Sequence, residues 1–301
     1  MSPHSRSDQA DRQPLASEFA SAGFIEDEVK LDAPTKKYLD AVWRHAIDDK
    51  KYYHPSNNNH TMDQRPDNVN WDDVDGDDPD PYQETTKYRY RYYFDTRLLS
   101  LFNSKAEVRL EQKKSGEYKQ VIKIGNGATA DSPMMGRAEH PAMIRKFKPS
   151  FTAINRKEDS RKKVIALLND AKKGSGPIKP LVAIRSQRRK MEYHPAGNRD
   201  ITIEMACDIG KAMNVAGFNW NVRQIELEIK ENNTDRSNAE VLAEELAKLK
   251  TKFGELEVNT ESKPTPGFQD LIARKMSEKA FRRVNKKEFE QMPKPPQYKA
   301  S

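Results

Sequence analysis

A single cysteine, Cys207, occurs in 301 residues, so no intrachain disulfide can form and no thiolate-rich zinc site can be built. It lies in Ile201-Thr-Ile-Glu-Met-Ala-Cys207, a strand-like run where a cysteine is a small buried hydrophobe rather than a nucleophile. Long apolar runs are missing as well. No stretch could span a bilayer, and Met1 to Ser21 is polar, without the apolar centre of a secretory leader. A cytoplasmic protein with no membrane partner is therefore expected. Apolar residues make up only 35% of the chain and the mean hydropathy is −0.97, which predicts one modest core with polar extensions. Histidines are few and scattered: His54 and His60 could meet Asp63 around a metal, but they sit in an Asn-rich stretch that reads as loop. An EF-hand calcium loop is excluded, because Trp71 stands where an aspartate is required ahead of Gly76.

What is abundant is charge. The net charge of +7 hides an acidic segment: Asp63 to Asp80 carries eight aspartates and one arginine, which leaves about +14 on the rest. Residues 50–83 are read as an inserted, solvated loop. Beyond it the pattern turns to strands. Lys87, Arg89, Arg91, Tyr93 and Asp95 alternate with Tyr88, Tyr90, Tyr92 and Phe94, giving a mostly cationic face and an aromatic one. Runs at 106–111 and 118–124 flank Ser115-Gly116 as a hairpin, and runs at 181–193 and 201–208 flank Pro195 to Asn198. With 24–31 and 223–230 this makes about seven strands, mostly antiparallel and in meander order. Helices are expected at 34–47, 161–173 and 238–256, the last opening with a Ser237-x-x-Glu240 capping box. Its stripe of Leu242, Leu246, Leu249, Phe253 and Leu256 covers only about two heptads. Docking on its own chain is expected, with a homodimer zipper as the alternative to a monomer.

Two strings of one form stand near opposite ends of the strand-rich region, Glu26-Asp-Glu28-Val-Lys30 and Glu226-Leu-Glu228-Ile-Lys230. In a strand each places two carboxylates and an ammonium on one side, and Ile225, Leu227 and Ile229 occupy the other side of the second string. Four carboxylates on one surface repel in water and become sensible if they converge on a divalent cation such as Mg²⁺ or Mn²⁺. Nearly every other strand also carries charge on one face: Arg91, Arg109, Lys123, Arg185 with Arg189, and Glu204. If that face turns inward, the interior is a wet pore lined by both signs and the apolar faces must be covered by helices. Cations beside a carboxylate cluster suit a polyphosphate with its metal.

The ordered set Glu26-x-Glu28-x-Lys30, Tyr92-Tyr-Phe-Asp95-Thr96, Val108-Arg109-Leu, Ile122-Lys123, Glu204-Met-Ala-Cys-Asp208-Ile-Gly and Arg223-Gln-Ile-Glu226-Leu-Glu228 resembles the CYTH superfamily, the triphosphate tunnel metalloenzymes, over residues 24 to 256. The resemblance implies an α+β fold, a closed antiparallel eight-stranded β-tunnel flanked by helices. It implies a tunnel domain at 23–257 holding the insertion 50–83, after a disordered segment at 1–22 and before a basic extension at 258–301. The implied activity is metal-dependent hydrolysis of a triphosphate, most simply inorganic tripolyphosphate, with Mg²⁺ or Mn²⁺ as cofactor. Glu26, Glu28, Glu226 and Glu228, with Asp208, would hold metal, and Glu204 would hold metal or orient a cation. Lys30, Arg109, Lys123, Arg185 and Arg189 would neutralise phosphate oxygens. An adenylate cyclase of class IV type and a non-catalytic polyphosphate- or nucleotide-binding module are the rival readings. The chain departs from the pattern at Arg109-Leu-Glu111, where a second arginine is usual, so Arg91 or Lys113 would have to supply that contact. The tail from Ser262 is Pro-rich and basic, with nine Lys or Arg against three Glu from Leu271 onward, and reads as solubilising or flexible. It has no groove-reading motif, so nucleic acid is not an expected partner.

Overall fold

Alternation of apolar and charged residues is what shapes the sheet. The computed structural model describes residues 25–48, 83–84, 88–113, 115–126, 134–153, 176–195 and 198–292, together with isolated positions between 162 and 173. The strands are β1 (Ile25–Asp32), β2 (Gln83–Glu84), β3 (Arg89–Asp95), β4 (Ala106–Gln112), β5 (Tyr118–Asn126), β6 (Met134–Ile144), β7 (Lys179–Tyr193), β8 (Ile201–Asn214), β9 (Asn219–Asn232) and β10 (Glu257–Val258). Antiparallel ladders run from β1 through β6, β5, β4, β3, β7 and β8 to β9, and β9 pairs again with β1. Glu28 stands opposite Glu228 in that last ladder, and Lys30 opposite Glu226, so the two Glu-x-Glu-x-Lys strings are neighbours.

The apolar face carries the helices. Helix α1 (Lys36–Asp48) turns Leu39, Val42, Trp43 and Ala46 into one cluster with Met205, Cys207, Ile209, Ile225 and Leu227. Helix α2 (Ser100–Asn103) is a single turn after β3. Helix α3 (Asn238–Lys252) starts at the expected capping box, with Ser237 and Glu240 bonded reciprocally. Leu242 and Leu249 of its stripe join the same cluster, with Leu246 and Phe253 packed against it. The stripe is used inside the chain. Each such leucine withdrawn from water contributes about 1.5–3 kcal/mol. A second apolar cluster covers β3, β4 and β5 and includes Tyr92, Phe94, Leu110, Ile122 and Leu168.

Several expectations need correction. Strand β6 was not foreseen, because Gly136 and Pro141 interrupt its pattern; Pro141 lies beyond Ala138, the end of the ladder with β1, so its missing N–H weakens nothing there. The order is not a plain meander, since β1 joins β6 to β9 and β3 joins β4 to β7. Of the helix expected at 161–173, the described positions 162, 165, 166 and 168–170 are helical; the segment 1–22 and the insertion 50–83 apart from Gln83 lie outside the described residues. No helix among the described residues is long and apolar enough to cross a membrane.

The largest departure is the C-terminal extension. Residues 262–292, read as a flexible tail, instead form α4 (Thr265–Arg274), α5 (Glu278–Arg283) and a 3-10 turn at Lys286–Phe289. Phe268, Leu271, Phe281 and Val284 bury themselves against Tyr93, Val182, Ile184, Ala212 and Val222. Those partners lie on the face opposite the α1–α3 cluster, so the extension stops one end of the inner face. The fit is close at Gly267, where an added Cβ would lie 2.5 Å from Trp220 Cη2 and 2.9 Å from Val182 Cγ2. Replacing Gly267 by Ala should therefore destabilise the fold by about 1–2 kcal/mol in urea unfolding, even though Ala is the better helix former. Trp220→Leu added to it should recover part of the loss; a more stable Gly267→Ala protein would refute this packing.

Candidate functional site on the charged inner face

The register decides which charges meet. In β8, Met205, Cys207 and Ile209 face α1 and α3, so Glu204 and Asp208 face inward. Glu204 pairs in register with Glu228 of β9, which pairs with Glu28 of β1, so three carboxylates stand in one row across three strands. Glu226 lies one inward position further along β9, opposite Ala206, and Asp208 two inward positions further along β8, opposite Gln224. Across the cavity, Arg91 of β3, Arg109 of β4 and Lys123 of β5 face back, with Glu107, Glu111 and Glu139 among them.

The inner-face carboxylates Glu28 of β1, Glu204 of β8 and Glu228 of β9 have cations, whereas buried Asp95 is held by the N–H groups of Thr96, Leu101 and Phe102. Lys30 Nζ lies 2.9 Å from Glu28 Oε1, and both side chains are 3% exposed. Lys230 is 2.7 Å from Glu228 and Lys190 is 3.1 Å from Glu204. Asp208 and Glu226 share two partners. Arg188 bonds both, at 2.9 Å to Asp208 Oδ2, and Lys263 Nζ lies 2.5 Å from Asp208 and 2.6 Å from Glu226. Burial alone would raise both carboxyls, but Arg188 and Lys263 hold them well below their ordinary values, with Lys30 assisting at Glu226 and Arg91 at Asp208. Glu111 is held low in the same way, against burial, by Arg91, Arg89 and Lys113. The departure from the usual arginine at Glu111 thus engages Arg91, 3.3 Å away, and does not leave a loose anion.

A cavity of about 40 Å³, open to solvent, joins the two walls. Six cations line it, Lys30, Arg91, Arg109, Lys123, Arg188 and Lys263, against two carboxylates, Glu107 and Glu226. Tyr93 is its one aromatic and Ser262 completes the lining. Arg109 Nε is buried with no acceptor among the described residues, an orphan donor in a cationic cavity. Such a site is built for a multiply charged anion.

Two expected phosphate ligands are not there. Arg185 stands opposite Tyr90 in register and packs over the Tyr88 and Tyr90 rings, at 4.4 and 5.0 Å. Arg189 stands opposite Cys207, lies 5.9 Å from the Trp43 ring and pairs with Asp40 at 3.5 Å. Both point to the helix-covered face, one residue out of phase with Arg188. Met191 and Tyr193, apolar at odd positions of the same strand, carry the signal for that phase. Lys263 has no such signal, since it belongs to the extension. The side chain of Glu26 lies outside the described residues; its backbone pairs with Arg137.

As they stand, no three Asp, Glu, His or Cys side chains among the described residues are grouped to hold a metal ion. The donor chemistry nevertheless fits Mg²⁺ or Mn²⁺: hard carboxylate oxygens in a row, each held by a lysine or arginine that a metal ion could replace.

No family model matches the chain, and no curated protein matches it. Similar solved structures include a candidate adenylate cyclase from Bacillus halodurans, at 13% identity and a TM-score of 0.45, covering 80% of this chain and 96% of that one. Another is a candidate adenylyl cyclase from Hippeastrum described as revealing a dominant triphosphatase activity, at 15% identity and a TM-score of 0.45, covering 84% and 98%. At that level of likeness no residue role passes from them to this chain.

The depressed Asp208 and Glu226 carboxyls stabilise the fold at pH values above their ordinary 3.8 and 4.5, and that contribution is lost as pH falls through the lower folded values. The melting temperature should be flat from about pH 7 to 5 and fall below about pH 4.5. An Asp208→Asn/Glu226→Gln protein should show a shallower fall; an unchanged slope would mean that the pair does not set acid stability.

Proposed function

We propose that the protein is a metal-dependent hydrolase of triphosphates, acting on inorganic tripolyphosphate inside a closed eight-stranded tunnel. The observation that carries this reading is the cavity lined by six cations with Glu107 and Glu226, on the same inner sheet face as the row of carboxylates Glu28, Glu228 and Glu204. The ladder that returns from β9 to β1 supports the closed tunnel. A lining with one aromatic and no apolar recess suits a bare phosphate chain better than a nucleotide, which disfavours the cyclase reading.

Lys30, Arg91, Arg109, Lys123 and Arg188 would neutralise the phosphate oxygens, and Arg109 would give its orphan Nε–H to one of them. Glu28, Glu204 and Glu228, with Glu26, and the pair Asp208 and Glu226 would hold Mg²⁺ or Mn²⁺. The metal would supply charge neutralisation on the phosphate chain. Carboxylates of the row not engaged by it would orient the attacking water, and the cations would meet the negative charge that builds on the leaving phosphate. Catalysis then rests on positioning and preorganised charge.

Phosphate release from tripolyphosphate should require Mg²⁺ or Mn²⁺ and vanish in excess EDTA. Glu28→Ala or Glu228→Ala should lower it at least about 1,000-fold with far-UV dichroism unchanged. Full activity in EDTA would sink the mechanism. ATP run in parallel separates the rivals: cyclic AMP with pyrophosphate marks a cyclase, and tight binding without turnover marks a binding module. The register makes a further forecast. Arg188→Gln should cut kcat/KM about 100-fold, whereas Arg185→Lys should leave it within about threefold. The reverse ranking would show that the phase of β7 has been misread.

A further inference from the structure

Arg91, Arg109, Lys123 and Arg188 of the inner face each have a carboxylate within 3.5 Å. Arg89 and Lys119 do not. Both are half-buried, and neither makes an ion pair or a side-chain hydrogen bond among the described residues. Their direction follows from the strands that carry them. In β3, Tyr90, Tyr92 and Phe94 belong to the apolar cluster on the outer face, so Arg89 is turned inward with Arg91 and Tyr93. In β5, Tyr118, Ile122 and Ile124 belong to the same cluster, so Lys119 is turned inward with Lys123.

Glu111 of β4 stands opposite Arg91 on one side and Lys119 on the other, and Arg89 is one inward position beyond Arg91, about 7 Å along the strand. Tyr93, one inward position the other way, packs against the extension, so this group lies at the far end of the face. Glu111 cannot serve every cation around it. Its two oxygens are taken by Arg91 at 3.3 Å and Lys113 at 3.1 Å. Burial pushes the Arg89 guanidinium and the Lys119 ammonium below their ordinary values, although Glu111 beside the first, and Glu139 with Glu111 beside the second, act against it. Half-buried charges of one sign held side by side destabilise a fold, and an anion placed between them removes the penalty.

We propose that Arg89 and Lys119, with Lys113, form a second anion subsite that takes a phosphoryl group continuing outward from the chain held in the cavity, so that linear polyphosphates longer than tripolyphosphate are the preferred ligands. This rests on the polyphosphate reading above and names its substrate more closely. Arg91 joins the two sites, because it lines the cavity and pairs with Glu111, whereas Arg89, Lys113 and Lys119 lie outside that lining. A nucleoside at the same place would find cations, and Met143 opposite Lys119, but no aromatic face, since Tyr88 and Tyr90 pack on Arg185 across the sheet. A further phosphoryl group is the occupant that this chemistry fits.

Titration calorimetry on the full chain, in EDTA and at fixed ionic strength, compares tripolyphosphate with linear polyphosphate of medium chain length. The wild type should bind the longer chain at least about tenfold more tightly. Arg89→Gln/Lys119→Met should lose at least about tenfold more affinity for the longer chain than for tripolyphosphate. Lys275→Gln/Lys279→Gln removes the same charge from the exposed surface of the extension and should keep the preference for length, as should Lys119→Arg. Without ligand, Arg89→Gln/Lys119→Met should melt no lower than the wild type; a fall of more than about 4 °C would mark the two cations as structural and overturn the subsite. Equal losses on both chains, or a wild type indifferent to length, would also overturn it and leave the triphosphatase reading standing. A length preference that the double variant loses, with no phosphate release in Mg²⁺ or Mn²⁺, would support the subsite and sink the hydrolase. Binding of neither chain, with or without Mg²⁺, would overturn both. Should the double variant fail to fold, Lys119→Gln decides by the same ratio of losses.

Discussion

Pairing of buried charge is the interaction on which this structure depends. A carboxylate removed from water without a partner destabilises a fold by several kcal/mol, and this interior contains more than half a dozen. The solution is an inner sheet face that sets acids beside bases, on the same strand or on strands nearby: Glu28 with Lys30, Glu204 with Lys190, Asp208 and Glu226 with Arg188, Glu139 with Lys123. That arrangement requires the alternate residues to be apolar and turned outward, where α1 and α3 cover them. The helices follow from the lining: a sheet whose inner face is ionic has to find its hydrophobic burial on the other side.

The parts of this plan that were legible in the amino-acid order are those with an unambiguous period. In β8 and β9 a strict alternation separates Glu204 and Asp208 from Met205 and Cys207, and Glu226 and Glu228 from Ile225 and Leu227, so the acidic wall could be read directly. Strand β7 opens with four apolar residues, Leu181 to Ile184, that carry no phase, and its cations follow in a row. There a slip of one residue exchanges Arg188 for Arg189, and only Met191 and Tyr193 further on would have corrected it. Strand β6 escaped because Gly136 and Pro141 are tolerated wherever the ladder on one side has ended, a condition set by β1 and invisible locally. Lys263 was illegible for a different reason: its partners are long-range, and a Pro-rich basic stretch looks the same in sequence whether it is docked or free.

The same pairing rule links fold to chemistry. Ion pairs that merely stabilised the interior could be replaced by apolar groups of similar volume at little loss, and often with gain. Retaining so many makes sense if the pairs are partners to be exchanged. On the function proposed above, a phosphate chain accompanied by a divalent ion carries both signs, so its oxygens would take over lysines and arginines and its cation would take over glutamates. The charges of the inner face are thus fixed in place by one another.

The same pairing also explains why the extension packs where it does. Without Lys263, Asp208 and Glu226 would keep Arg188 between them and rely on Lys30 and Arg91 at longer range for the remainder. An apolar plug at that end would cover the inner face and leave the acidic pair undercompensated; a purely basic tail would compensate it and leave the end open to water. Residues 262–284 do both, because Lys263 precedes α4 by the two residues that bring its ammonium over the acids while Phe268 and Leu271 seat on Val182 and Ala212. The charge that completes the ionic lining and the apolar surface that seals it are carried by one short segment, and whatever alters the first must be felt by the second.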